Sequence, residues 1–283
     1  MIKYFLFVLL LLNHAAGLSQ RYDFNWIFGY DGGKGDPRFG TSLVDFNLGN
    51  PTVKFISEGK MNLFVANASI SDSSGNLLYY TNGYDVEDFS YKKILGGGNL
   101  SIRYWDGLIC NQGVMFLPWP SNPNKYVLLY VNLVLNSPNF YILDLKYLII
   151  NKDSNKVIDK GILINDTLNE GMLSACKHAN GRDWWIVLNK WRTNIYYKYL
   201  LSPNGFTIID TQFIGPVIME GIGQAVFSPN GERFVTLEEF SFQDGLYIYW
   251  SQALVKTMHF SARALVKRKS LKLEVWIGKV HIP

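Results

Sequence analysis

Gln224-Ala-Val-Phe-Ser-Pro-Asn-Gly-Glu-Arg-Phe-Val235 decides the fold. An apolar strand ends at Phe227, a Ser-Pro-Asn-Gly turn follows, and a second strand begins at Glu232. Proline presets φ for the turn and glycine supplies positive φ, so the chain reverses and the two strands pair. The unit recurs. Asn67–Tyr80 turns at Ser73-Ser74-Gly75-Asn76, Ser174–Val187 turns at Ala179-Asn180-Gly181, and a looser copy, Val114–Val131, turns at Ser121-Asn122-Pro123-Asn124. The anchors Gly75, Asn124, Gly181 and Gly231 are 49, 57 and 50 residues apart. One hairpin per roughly 50 residues is the period of a propeller blade.

The expectation is an all-β protein: a β-propeller of four recognisable blades, about five in all or the front part of a larger one. Aromatics make up 15% of the chain and 17 residues are tyrosine, a composition that suits half-buried, pleated strands. Gly96-Gly97-Gly98 cannot be a strand interior and reads as a connection between blades. Tyr126–Val134 is apolar on both faces, as in a strand covered on each side. No linker marks a boundary before about residue 250, so the propeller domain is read as residues 20–250.

The two ends read differently. Lys3, the apolar run Tyr4–Leu12 and the small residues Ala15, Ala16, Gly17 and Ser19 form a secretory signal over residues 1–19, cleaved just before Gln20. That apolar run is too short to span a bilayer. The mature chain is therefore expected to be secreted or held at the cell surface, or periplasmic without a further sorting signal, with no transmembrane helix. Residues 251–283 hold seven Lys or Arg against Glu274 alone, which leaves the body mildly acidic. A nucleic-acid binder needs its basic stripe on the folded body, so nucleic acid is not an expected partner. Leu254, Met258, Ala262 and Leu265 fall at helical spacing within this tail. It is read as an out-of-frame extension of a truncated gene, with a packed terminal helix or a membrane-lying amphipathic helix as alternatives.

Arg21–Trp26, Asn67–Asn82, Ser174–Leu188 and Gln224–Val235 together resemble secreted β-propeller-like proteins of gliding, polymer-degrading bacteria of the Bacteroidetes type. Many of these are cargo of the type IX secretion system. Phe227–Gly231 also resembles the turn of the wider WD-repeat-like and TolB-like propeller repeats. The resemblance covers most of residues 20–250 and implies a propeller. It also implies further blades and a terminal β-sandwich sorting domain, a pattern that the sequence after Tyr249 does not carry. It implies no particular activity, because propellers host unrelated functions.

The densest polar cluster is Lys177-His178-Ala179-Asn180-Gly181-Arg182-Asp183, flanked by Trp184 and Trp185. His178 as a base, Asp183 as its orienting partner and Arg182 as an anion holder would make a catalytic group. The reading favoured over it is a hairpin turn with Arg182 and Asp183 paired beside it and the tryptophans packed between blades. Trp119, between Pro118 and Pro120, is the candidate ligand-stacking residue, since its prolines exclude it from an inner strand. Trp105, Trp184, Trp185 and Trp191 are further candidates for such a platform. Four histidines, one in the signal and two in the tail, cannot build a zinc site, and the Asp72 and Asp153 turns lack the carboxylates of a calcium loop. No metal or cofactor is expected. Cys110 and Cys176 each stand in or beside a strand of a different blade; a disulfide is permitted in an exported chain, but two buried thiols that never meet is the favoured reading. Function divides into a binding scaffold for an extracellular glycan, peptide or protein and, as the alternative, a hydrolase or lyase acting on polymer at the propeller mouth.

Overall fold

Five antiparallel sheets follow one another along the chain, each a meander of consecutive strands. The computed structural model describes residues 20–32, 36, 38–102, 107–136, 139–215, 217–218, 223–242, 245–253 and 260–266, and among these there is no helix. The first sheet holds β1 (Asn25–Tyr30), β2 (Gly40–Asp45) and β3 (Thr52–Ile56). The second holds β4 (Ala68–Ser71), β5 (Leu77–Thr81) and β6 (Val86–Asp88). The third is larger: β7 (Val114–Pro118), β8 (Lys125–Asn136), β9 (Asn139–Asn151) and β10 (Lys156–Leu168). The fourth comprises β11 (Ser174–Lys177), β12 (Trp184–Asn189), β13 (Ile195–Ser202) and β14 (Gly205–Phe213). The fifth comprises β15 (Gly223–Phe227), β16 (Phe234–Phe242), β17 (Gly245–Ala253) and β18 (Phe260–Val266).

The four repeated turns join the first strand to the second in sheets two to five. The first sheet is the unit that the repeat reading did not count. Its β1 and β2 are joined by a long excursion rather than a tight turn, so it carries no matching anchor. In the third sheet the left-handed residue is Ser121, with φ of 58°, not Asn124.

First strands of successive sheets lie side by side, β1 beside β4, β4 beside β7 and β11 beside β15. Side chains tie the first of these pairs. Asn25 Nδ2 donates to Ser71 Oγ at 2.9 Å and to the Gly75 carbonyl at 2.6 Å, and Ser69 Oγ donates to the Asn25 carbonyl at 2.7 Å. The main core runs between the sheets. Val127, Leu128 and Leu129 of β8 are all wholly buried, so both faces of the third sheet are covered, as its unbroken apolar run requires. Each such aliphatic side chain contributes about 1.5–3 kcal/mol by leaving water. A smaller cluster of Ile27, Met61, Leu63 and Tyr80 joins the first sheet to the second.

The helical reading of the tail is corrected over the residues described. Phe260–Val266 is a strand, with Phe260 opposite Gln252 and Val266 opposite Leu246. The open edge of β17 offers a hydrogen-bond partner at every second residue, and Phe260, Ala262, Ala264 and Val266 also satisfy a period of two. The boundary placed at residue 250 falls inside β17, which continues to Ala253. The signal segment 1–19, Trp105, residues 254–259 and residues 267–283 lie outside the described residues.

Candidate functional site

Asp72, Trp119, His178 and Ser228 occupy one equivalent position, the residue that opens the turn after the first strand. Their backbone N–H groups donate across the turn to the carbonyls of Asn76, Lys125, Asp183 and Arg233, at 2.8, 2.9, 2.8 and 2.8 Å. Their own carbonyls accept from Gly75, Asn122, Gly181 and Gly231, at 3.0, 3.2, 2.9 and 2.8 Å. Contacts between sheets gather these turns at one end of the molecule. Trp184 Nε1 donates to the Pro118 carbonyl at 3.2 Å, Trp119 Nε1 donates to the Pro203 carbonyl at 3.4 Å, and Lys152 pairs with Asp72 at 3.4 Å.

At this rim His178 and Asp183 are adjacent, and both make the hydrogen bonds of the turn. His178 Nδ1 accepts the Asn180 N–H at 3.1 Å, which closes the turn. The Asp183 carboxylate takes Arg182 Nε at 2.7 Å, Arg182 Nη2 at 3.0 Å and Asn180 Nδ2 at 2.8 Å. The Arg182 fork holds the Asp183 carboxyl below the usual carboxylate range. Asp72 serves its own turn in the same way, accepting N–H bonds from Ser74 at 2.9 Å and Asn76 at 3.0 Å. Burial opposes its charge, yet those bonds keep its carboxyl low too.

What the turns leave unused is aromatic and cationic. Lys177 Nζ stands 4.0 Å from the centre of the Trp184 ring, and Lys125 Nζ 5.7 Å from that of Trp119. Burial pulls the Lys177 amine down from its ordinary range, opposed by the Asp183 charge. Trp119 is half-buried rather than free: its ring meets Phe206 edge-on at 6.2 Å and packs against the main core. On the other side of β12, Trp185 carries His178 at 5.2 Å and Lys198 Nζ at 5.8 Å. Trp119 and the β11–β12 turn, read separately in the sequence, are thus brought to one rim.

Sequence reasoning missed Glu170, at the opposite end of β11. Its carboxylate accepts a backbone bond from Asn111, and burial pushes it up from the usual range. The only signal was a glutamate with no nearby cation, inside Leu168–Leu173, a stretch that begins and ends on apolar residues. Asn111 and Glu170 belong to the approaches to β7 and β11, the end at which those first strands begin. Cys110 and Cys176 are both buried free thiols. Cys110 is held by the Gly171 N–H before β11 begins, whereas Cys176 lies within β11. Neither thiol is bonded to the other. Among the described residues no group of three His, Cys, Asp or Glu side chains is placed to hold a metal ion.

No protein-family model matches the chain, and no curated protein matches it.

Proposed function

We propose that this is an exported or cell-surface binding scaffold of propeller type, with five blade-like sheets and a ligand held at the rim of first-strand turns. The series of short meanders with neighbouring first strands supports the propeller reading. The observation that carries the binding reading is the pairing of Lys177 with Trp184 and Lys125 with Trp119, beside turns whose polar groups are already spent on one another. Rings flanked by ammonium groups suit a glycan or peptide that stacks on tryptophan and brings anionic groups to the lysines. The chemistry favours an acidic glycan or acidic peptide over a neutral one.

The test is binding by the purified protein to panels of acidic and neutral glycans and peptides. Trp184→Ala and Lys177→Ala should each weaken retention of the acidic ligand at least tenfold, while His178→Ala, once shown to be folded, should leave it within twofold. Loss with His178→Ala and not with Trp184→Ala overturns this placement.

The second reading, a hydrolase or lyase acting on extracellular polymer, draws its support from Glu170, a carboxylate that accepts the Asn111 N–H and that burial pushes up from the usual range. Glu170→Gln should abolish turnover if that reading holds. Turnover unaffected by the change removes its support.

A further inference from the structure

Four Asn-Gly pairs stand in the chain, at Asn82-Gly83, Asn180-Gly181, Asn204-Gly205 and Asn230-Gly231. Glycine after asparagine exposes its backbone nitrogen to the side-chain carboxamide, because no Cβ stands in the way. Three of the four carboxamides are held. Asn82 is buried, and its Oδ1 accepts the N–H groups of Tyr84 at 3.0 Å and Asp85 at 2.9 Å. Asn180 Oδ1 accepts those of Arg182 and Asp183, both at 3.0 Å, and its Nδ2 donates to the Asp183 carboxylate at 2.8 Å. Asn230 Oδ1 accepts from Ser228 Oγ at 2.7 Å and from the Glu232 N–H at 3.2 Å, and its Nδ2 donates to the Glu232 carboxylate at 2.8 Å. Asn204 differs. It is exposed, and its backbone N–H is engaged on Ser202 Oγ at 3.2 Å, but among the described residues its carboxamide takes no hydrogen bond.

We propose that Asn204 is a modification site, the asparagine among these four that converts to aspartate and β-linked aspartate in the folded protein. The Gly205 nitrogen gives up its proton to water and attacks Asn204 Cγ. A cyclic imide forms as the Cγ–Nδ2 bond breaks and ammonia leaves. Water then opens the ring at either carbonyl, so one amide becomes one carboxylate and nothing is oxidised or reduced. Space alone does not select Asn204, since a Cβ would meet nothing within 4 Å at Gly181 or at Gly205. The tethers decide. The Asn204 carboxamide turns onto the nitrogen without breaking a hydrogen bond, whereas at Asn180 and Asn230 bonds to both the oxygen and the nitrogen of the carboxamide must break first. The turn lies on the rim, where the Pro203 carbonyl accepts the Trp119 Nε1–H at 3.4 Å, so the modification adds a negative charge next to that contact. The chemistry is the same whatever the rim binds.

Peptide mapping by mass spectrometry tests it, on the purified protein kept for days in mildly alkaline buffer made with heavy-oxygen water. The peptide carrying Asn204 should take up labelled oxygen about tenfold faster than those carrying Asn82, Asn180 and Asn230, as expected where hydrogen bonds must break first. In denaturant, with the tethers gone, all four should convert at similar rates. Asn204→Gln should remove the fast conversion from the folded protein, because the longer side chain closes a less favourable ring. Conversion at Asn204 as slow as at Asn180 and Asn230 in the folded protein overturns the proposal. So does conversion at Asn180 or Asn230 as fast as at Asn204, because the tethers then protect nothing.

Discussion

The carboxamide of Gln112 is bonded to both backbone groups of Ala225, its Nε2 donating to the carbonyl at 2.9 Å and its Oε1 accepting the N–H at 2.8 Å. The two residues are 113 positions apart, and the bridge runs from the approach to β7 to the first strand of the fifth sheet. Gln112 itself sits at φ of 45°, a left-handed conformation that L side chains adopt only when held.

Gln112→Ala removes both partners from Ala225 and should cost about 1–3 kcal/mol in chemical denaturation. Gln112→Glu keeps the acceptor and sets a carboxylate against the Ala225 carbonyl. It should be the less stable variant at pH 7 and recover below about pH 4, where the carboxyl is protonated and donates again. Equal loss for Gln112→Glu at both pH values would mean that the bridge does not govern the stability of β15.

Gly75 and Gly181 occupy equivalent turns but differ in surroundings. Both have positive φ, 90° and 70°. A Cβ at Gly181 meets nothing within 4 Å, so Gly181→Ala should cost only the left-handed backbone penalty, about 1–2 kcal/mol. A Cβ at Gly75 would stand 2.0 Å from Asn47 Oδ1, and Asn47 is itself bonded to the Gly75 carbonyl at 2.8 Å. Gly75→Ala should therefore lower the melting temperature clearly more than Gly181→Ala. The reverse order would deny that the first and second sheets are joined at this turn.

Arg182 and Asp183 should not be equivalent on substitution. Asp183 is buried and Arg182 is half exposed, so Asp183→Asn should cost about 1–3 kcal/mol and Arg182→Gln about 0–1 kcal/mol. The Asp183 carboxyl is depressed on folding, so its stabilisation is present above the unfolded value near pH 3.9 and fades as pH falls through the lower folded value. The stability gap between wild type and Asp183→Asn should accordingly be full at pH 6 and close under acid. A gap that widens on acidification contradicts the assignment.

Burial pushes the Cys176 thiol up to about 11 and raises that of Cys110 as well. Native protein from an oxidising compartment should show no reactive thiol, and two after unfolding. A mass two units lower, with no thiol released by denaturant, would mean that a disulfide had formed and that β11 is displaced.

The hairpin turns were legible because they are local. Proline, asparagine and glycine act within four residues, and three of the four anchors, Gly75, Gly181 and Gly231, have positive φ. The burial of β8 was legible for a similar reason, since Tyr126–Val131 is apolar without interruption. The pairing of Arg182 with Asp183 beside the Asn180-Gly181 turn, favoured from the sequence, is local too. What depends on distant chain was not. Phe260–Val266 carries both a helical and an alternating spacing, and the free edge of β17 decides between them. Glu170 leaves only a faint local trace and the Gln112 bridge none, because burial and pairing come from chain segments that the sequence does not place together.

Each sheet is a meander of neighbouring strands, so nearly every ladder closes a loop of a few to about a dozen residues. Because its ladders join neighbouring strands, each sheet can form as its segment emerges, without waiting for the rest. The Gln112–Ala225 bridge forms only after β15 has arrived. A chain threaded through an export channel from its N-terminus would thus fold sheet by sheet and be latched last across its middle, which makes Gln112 the residue at which arrested translocation and completed folding could be told apart.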